Sequence, residues 1–147
     1  MNRTILVMFF LVFSSAAFAA DLPLDKIKLP PGFKIEIYAD NLPGARSMIF
    51  GEKGTLFVGT RTVGDVYATV DTDGDQKADK SYTIATNLSA PNGVAFRNGS
   101  LFLAEISRIL RYDDIENHLA DPPKPVLVNR QLPEKGHHGW KFIKFGP

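Results

Sequence analysis

The sequence predicts an all-β protein that forms part of a β-propeller. Short β-rich runs are broken by Gly, Asn, Asp and Pro about every eight to twelve residues, as in sheets of short antiparallel strands. One pattern also recurs: residues 50–58 (FGEKGTLFV) reappear as 96–103 (FRNGSLFL), and residues 145–147 (FGP) begin it again. The first two copies share a leading Phe, a polar turn closed by Gly, and a strand with a Leu-Phe pair.

Several strands are predicted from their side-chain patterns. Residues 32–39 (GFKIEIYA) alternate apolar and polar side chains, so that Phe33, Ile35 and Ile37 share one face of a half-buried strand. Further β-rich runs are 55–58, 65–70, 82–84, 100–103 and 108–112. Residues 113–119 (DDIENHL) have a helical pattern, and their acidic start suits a helix N-terminus.

The spacing of the repeat predicts the size of the structural unit. The copies start at Phe50, Phe96 and Phe145, so that 46 and then 49 residues separate them. A four-stranded propeller blade takes about 40–50 residues, and a closed ring needs at least about four blades. Residues 20–147 supply fewer than three, so we expect the first two to three blades of a longer propeller. A short natural protein that closes by oligomerising is the alternative.

The N-terminus predicts a cleavable export signal over residues 1–19. One positive residue, Arg3, precedes an apolar run from Ile5 to Phe13, and small residues follow up to an A-x-A site at 17–19. The apolar run is too short for a membrane-spanning helix, which needs about 20 residues. We expect a periplasmic or secreted protein whose mature chain, residues 20–147, begins at Ala20 or Asp21. A retained membrane anchor is the alternative.

Charge and cysteine content exclude several classes of protein. The chain has 17 Lys and Arg residues against 16 Asp and Glu residues, and removal of the signal takes away Arg3 and no acidic residue. The remaining positive residues are scattered, unlike those of a nucleic-acid binder. No cysteine is present, which excludes a disulfide framework. Stability must then come from an apolar core, or from metal or subunit contacts.

The order of five short motifs resembles that of the glucose and sorbosone dehydrogenase family. The motifs are LPPGF at 29–33, GTR at 59–61, VDTDGD at 70–75, APNGVAF at 90–96, and GHHGWKF at 136–142 running into FGP. The last segment is most similar to the sorbosone dehydrogenase branch. The resemblance implies a six-bladed propeller and a secreted quinoprotein that oxidises an aldose or sorbosone-like sugar. It also implies pyrroloquinoline quinone and calcium as cofactors. The family's residues for both belong to later blades, so we expect this chain to be inactive by itself.

Two adjacent histidines are the candidate catalytic residues. In the family that the chain resembles, a histidine ahead of the Phe-Gly-Pro turn is the general base. An imidazole suits that role, because its unperturbed pKa of about 6.5 lets it accept a proton near neutral pH. Counting back from Phe145 without a gap favours His138, and His137 is the close second. Since adjacent strand residues face opposite ways, we expect only one to point into a central cavity. The alternative is that both are exposed loop residues without a catalytic role.

Asn92 and Arg61 are the candidate substrate-binding residues. The resemblance places polar residues at the start of a blade strand, where Asn92 would hydrogen-bond a sugar hydroxyl. Arg61 follows a strand that ends at the same cavity. The alternatives are a plain Pro-Asn-Gly turn and a surface arginine. Trp140 would stack on a sugar ring or, alternatively, pack in the core.

An acidic stretch offers a candidate metal site. Asp71, Asp73, Asp75 and Asp79 place carboxylates at alternating positions, as in loops that wrap a hard cation. The stretch departs from the EF-hand pattern, because Gly74 is at the fourth position and the terminal Glu is missing. A solvated hairpin turn is therefore the favoured interpretation, since Asp-Gly is common in such turns.

Two other functions are compatible with a propeller. A metal-dependent sugar lactonase would need carboxylate and Asn ligands that converge on the central channel, and the sequence offers no convincing set. A non-catalytic binding propeller would keep the repeats and lack a buried histidine. Fold alone does not decide among these classes.

Overall fold

The chain folds into β-strands joined by short turns. The structure is a computed structural model that describes residues 22–146, so the predicted signal at 1–19 lies outside the described residues. A short N-terminal unit ends at Lys34, and its described part contains one turn of 3-10 helix, Leu24–Lys26. The second unit begins at Ile35 and contains all the strands described below. No described helix is long and apolar enough to cross a membrane.

Two four-stranded antiparallel sheets make up the second unit. In each sheet the strands lie side by side in chain order, so that every strand pairs with its sequence neighbour. The first sheet consists of β1 (Ala45–Phe50), β2 (Leu56–Thr60), β3 (Val66–Val70) and β4 (Lys80–Ala85). The second consists of β5 (Gly93–Arg97), β6 (Ser100–Ala104), β7 (Ile109–Tyr112) and β8 (Val126–Asn129). The predicted all-β class is confirmed.

Local sequence explains the tight turn between β5 and β6. Arg97 pairs with Ser100, which leaves Asn98 and Gly99 as the two turn residues. Both have positive φ, 50° and 73°. Two-residue hairpins favour Asn-Gly because these residues adopt left-handed conformations most easily.

The two sheets share one apolar core. Phe57, Leu101 and Leu103 are fully buried, and the rings of Phe57 and Phe96 stack with their centroids 5.5 Å apart. β5 packs against both β1 and β2. Gly59 allows this close approach, because a Cβ built on it would lie 2.6 Å from the Pro91 carbonyl oxygen. Core packing therefore fixes the start of β5 against the end of β2.

Two predicted elements are wrong. Residues 32–39 form no strand, and Phe33 is 72% and Ile37 44% exposed. The Ala78 N–H donates to the Tyr38 carbonyl at 2.7 Å, and the Tyr38 side chain packs against the first sheet, but these contacts do not make a strand ladder. The predicted helix at 113–119 is a single 3-10 turn, Ile115–Asn117. In the first case the alternation of side chains is present, but the segment lacks a neighbouring strand to receive its backbone hydrogen bonds.

Candidate functional site

The two histidines lie in a turn that follows the second sheet. The Gly139 N–H donates to the Gly136 carbonyl at 3.3 Å, which makes His137 and His138 the central residues of the turn. A Cβ built on Gly139 would be 1.7 Å from the Lys135 carbonyl oxygen, so only glycine fits there. Both histidines are exposed, as the loop alternative expects, and neither supplies the buried histidine that would exclude a binding propeller. The expected alternation of strand residues is therefore wrong, and the rings contact each other with centroids 4.2 Å apart.

His138 differs from His137 in its backbone and in its contacts. Its φ is +56°, in the left-handed region that disfavours side chains. Its ring centroid lies 5.3 Å from that of Trp140. His138 thus has two distinguishing features, a conformation that favours glycine and a contact with an aromatic neighbour.

Trp140 is the centre of a cluster drawn from three parts of the chain. The guanidinium carbon of Arg61, just after β2, lies 3.8 Å from the centroid of the indole. The same atom of Arg46, in β1, lies 5.9 Å from it. These distances are typical of cation–π contacts. Trp140 is half-buried and both arginines are exposed. The cluster of Arg46, Arg61, His138 and Trp140 is called the arginine–tryptophan cluster below.

The loop after β2 is closed by its own hydrogen bonds. The Thr60 hydroxyl donates to the Asp65 carbonyl at 2.7 Å and accepts from the Gly64 and Asp65 N–H groups at 3.2 and 3.1 Å. Thr60 is fully buried. The hydroxyl satisfies polar backbone groups that would otherwise be unpaired at the end of the strand. Arg61 is thereby attached to a fixed point of the sheet.

Asn92 is a buried link between β5 and the C-terminal segment. Its side chain is 3% exposed, and its Nδ2 donates to the Lys141 carbonyl at 2.9 Å. Its Oδ1 is buried without a hydrogen-bond partner among the described residues. The structure therefore brings Asn92 to the segment that carries Trp140, where its amide holds that segment in place. The plain turn considered above does not describe a side chain so deeply buried.

A buried carboxylate that the sequence patterns did not single out braces the same end of the second sheet. Glu105, 2% exposed, accepts a hydrogen bond from the Ser89 N–H at 2.7 Å and forms an ion pair with Arg108. The hydrogen bond from Arg108 to Glu105 raises the pKa of the guanidinium above its usual value. An acidic residue directly after the apolar run 101–104 was the available signal, since buried carboxylates are almost always paired.

The acidic loop between β3 and β4 is a separate feature. It lies at the opposite end of β3 from Arg61. Carboxylate oxygens of Asp71, Asp73 and Asp79 lie within 4.8 Å of one another. The predicted fourth residue, Asp75, is outside this group, and its carboxylate accepts the Lys77 N–H at 2.8 Å.

Hydrogen bonds within this loop already use much of its acceptor capacity. Asp71 accepts from the Gly74 and Gln76 N–H groups at 2.7 and 2.9 Å. Asp79 accepts from the Thr72 N–H at 2.6 Å and from its hydroxyl at 2.5 Å. The bond from the Thr72 hydroxyl lowers the pKa of Asp79 below its usual value. The loop is therefore closed by its own carboxylates.

The chain belongs to the family described as a domain of unknown function, DUF7133, whose model matches residues 20–128. The match covers both sheets and ends before the turn at 136–139. The chain is also similar to an uncharacterized protein of Borreliella burgdorferi, with 25% identity over 133 residues. That similarity covers 90% of this chain and 31% of the relative, so the chain spans about a third of the relative's length. No solved structure matches the chain significantly.

Proposed function

We propose that the two sheets are the first blades of a six-bladed propeller, and that the whole protein is an exported quinone-dependent dehydrogenase of an aldose or sorbosone-like sugar. Three features support the blades. Each sheet has four antiparallel strands in chain order, the sheets repeat after 46 residues, and their first strands are neighbours. First strands that lie side by side are the arrangement expected around a propeller axis.

The position of the C-terminal segment supports a third blade. A Cβ built on Gly93 would be 2.9 Å from the Lys141 carbonyl oxygen and 3.3 Å from the Ile143 side chain. This segment therefore runs beside β5, as β5 itself packs beside β1. The third copy of the repeat begins in it, at Phe145.

The observation that carries the proposed chemistry is the placement of His138. Its imidazole lies against Trp140 at the end of the sheets where β1 and β5 begin, and that end also presents Arg46 and Arg61. A left-handed backbone at a residue with a side chain costs roughly 1–3 kcal/mol, and such strain collects at functional sites. Glycine would avoid it. Six other described residues with side chains also have positive φ, so the contact of His138 with Trp140 beside the two arginines is the stronger support for its role.

In the proposed reaction His138 acts as the general base. Its imidazole accepts the proton of a sugar hydroxyl as the carbon that bears it is oxidised to a carbonyl. Pyrroloquinoline quinone, when bound, supplies the oxidant that accepts the hydride. His137 is the alternative base, since it is also exposed; it lacks the contact with Trp140 and the left-handed backbone.

The described residues fit the two cofactors unequally. Arg61 already covers the face of Trp140 that it approaches at 3.8 Å, so the indole does not stack a quinone through that face. The oxygen donors of the acidic loop suit a hard cation such as calcium. Asp71 and Asp79 are, however, already engaged by N–H and hydroxyl donors. We assign calcium to the quinone site of the whole protein and the acidic loop to a hairpin turn.

The test is oxidation of aldoses and sorbosone by the full-length protein, reconstituted with pyrroloquinoline quinone and calcium and measured with a dye acceptor. Turnover that requires the quinone is expected. Hydrolysis of sugar lactones without the quinone would replace the proposal with the lactonase function. Sugar binding without either reaction would favour a binding propeller.

A further inference from the structure

The arginine–tryptophan cluster brings together two positive charges that form no ion pair within the described residues. The guanidinium carbons of Arg46 and Arg61 lie 5.9 and 3.8 Å from the same indole centroid. They are therefore no more than about 10 Å apart, a distance at which like charges repel. Within residues 22–146, neither guanidinium makes a hydrogen bond or an ion pair.

A third cation adjoins the cluster. The ammonium group of Lys141 donates to the carbonyls of Gly139 and Pro133, at 2.6 and 3.4 Å. It has no carboxylate partner in the described part of the chain. Glu105 belongs to the same end of the second sheet, but it is buried and already paired with Arg108. Within residues 22–146, no carboxylate is therefore paired with the cations around Trp140.

Exposed and unpaired guanidinium groups are suited to binding an oxyanion. The planar fork of N–H donors matches the oxygens of a carboxylate or a phosphate and binds them in pairs. Arg61 is prepared for this role, because the ring of Trp140 holds its guanidinium and the Thr60 hydrogen bonds hold the loop behind it. A guanidinium that is ordered beforehand loses less conformational entropy on binding.

We propose that Arg46 and Arg61 bind the oxyanion of an acidic sugar, so that this site prefers a sugar carboxylate or sugar phosphate over a neutral aldose. This inference deepens the proposed function and rests on it for the sugar. The ring centroid of His138 lies 5.3 Å from that of the same indole, so the histidine and the arginines are gathered around one side chain.

The sequence provides a direct reporter, because Trp140 is the chain's single tryptophan. We would titrate the chain with glucuronate, glucose 6-phosphate and glucose at low ionic strength and follow the fluorescence of Trp140. The acidic sugars are expected to bind at least about tenfold more tightly than glucose. Whichever acidic sugar binds more tightly identifies the oxyanion as carboxylate or phosphate.

Single-residue variants test the assignment to these two arginines. Arg46→Gln and Arg61→Gln should each weaken binding of the acidic sugar at least about tenfold. Arg97→Gln is the matched control, since Arg97 lies 5.2 Å from the ring of Phe145, at the opposite end of β5. It should leave binding unchanged.

Several outcomes would overturn the inference. Equal affinity for glucose and the acidic sugars would do so, as would equal weakening by Arg97→Gln. Acetate or inorganic phosphate binding as tightly as the acidic sugars would show a simple anion site. Acidic-sugar binding without quinone-dependent turnover of the full-length protein would instead overturn the proposed dehydrogenase and leave this site standing. Turnover of neutral aldoses with no preference for acidic sugars would overturn this inference and leave the proposed dehydrogenase standing.

Discussion

At position 138 a histidine occupies a backbone conformation that glycine adopts more easily. Its neighbour His137 has no such conformation, although both are central residues of the same turn. The sequence predicted that two imidazoles stand together, and residue counting favoured His138. It did not predict the turn, because the close contact of Gly139 with the Lys135 carbonyl is visible only in three dimensions. Trp140 and Arg61 are similarly 79 positions apart in sequence.

The backbone of the turn predicts opposite effects of glycine at its two central residues. His138→Gly removes the left-handed strain, whereas His137→Gly only adds flexibility to the unfolded chain. We expect His138→Gly to be more stable than His137→Gly by about 1–2 kcal/mol. Thermal unfolding followed by circular dichroism measures the difference. A less stable His138→Gly variant would contradict the φ assigned to this residue.

The lowered pKa of Asp79 predicts that the stability of the fold depends on pH. Folding lowers its pKa through the Thr72 hydrogen bonds. The stabilisation is therefore complete above the unfolded pKa of about 3.9 and is lost as the pH falls through the lower folded value. Between pH about 5 and 2, the melting temperature of Asp79→Asn should fall less than that of the unmodified chain.

Two controls accompany the Asp79 measurement. Thr72→Val removes the hydroxyl that bonds Asp79 and should reduce the pH dependence in the same direction. Ser81→Ala, at an exposed position of β4, should retain it. Equal acid sensitivity in all four proteins would show that the Thr72–Asp79 bonds do not stabilise the loop.

The strands differ in how well local sequence predicts them. β2 and β6 carry the repeated Leu-Phe pair and were predicted, as was β7. β1 and β8 were missed, and residues 126–129 are exposed along their whole length and show no alternation. The opposite error occurred at 32–39, where alternation was present without a strand. The alternation of apolar and polar side chains indicates which face of a strand would be buried. It does not indicate whether a partner strand is available.

Replacement of Gly59 by alanine tests the contact between β2 and the start of β5. A methyl group at this position would lie 2.6 Å from the Pro91 carbonyl oxygen and 2.9 Å from that of Asn92. Since both acceptors are backbone atoms, the sheets must separate to admit it. Gly59→Ala should lower the free energy of unfolding by about 1–3 kcal/mol. Gly146→Ala, which meets nothing within 4 Å, is the control and should change it little. Equal stability of the two variants would contradict the close packing of the sheets.

At the scale of the whole molecule, residues 22–146 are all-β, and their two sheets share one core and present the arginine–tryptophan cluster at one end. The fold class and the repeat length were predictable, because both depend on local patterns. The charge at the cluster was not, because an overall balance of 17 positive and 16 negative residues conceals a local excess. The chain also spans about a third of its Borreliella burgdorferi relative, so the activity proposed here belongs to the longer protein.

The proposed export predicts where the mature protein begins. Expressed in a bacterium with the general secretion system, the protein should appear outside the cytoplasm with Ala20 or Asp21 as its first residue, because an A-x-A site precedes them. Intact-mass analysis of the exported fraction measures this. An exported, membrane-held form that retains residues 1–19 would support the anchor alternative instead.

The central claim is that His138 is the base of a quinone-dependent sugar oxidation. The most direct measurement is turnover of the full-length protein, with pyrroloquinoline quinone and calcium, for the unmodified, His138→Gly and His137→Gly forms. His138→Gly should lower kcat by about 10²–10⁴-fold with a smaller effect on KM, because the base acts mainly in the transition state. His137→Gly should be comparatively mild. Near-normal turnover of His138→Gly with loss in His137→Gly would assign the base to the neighbouring residue, and normal turnover of both variants would contradict the mechanism.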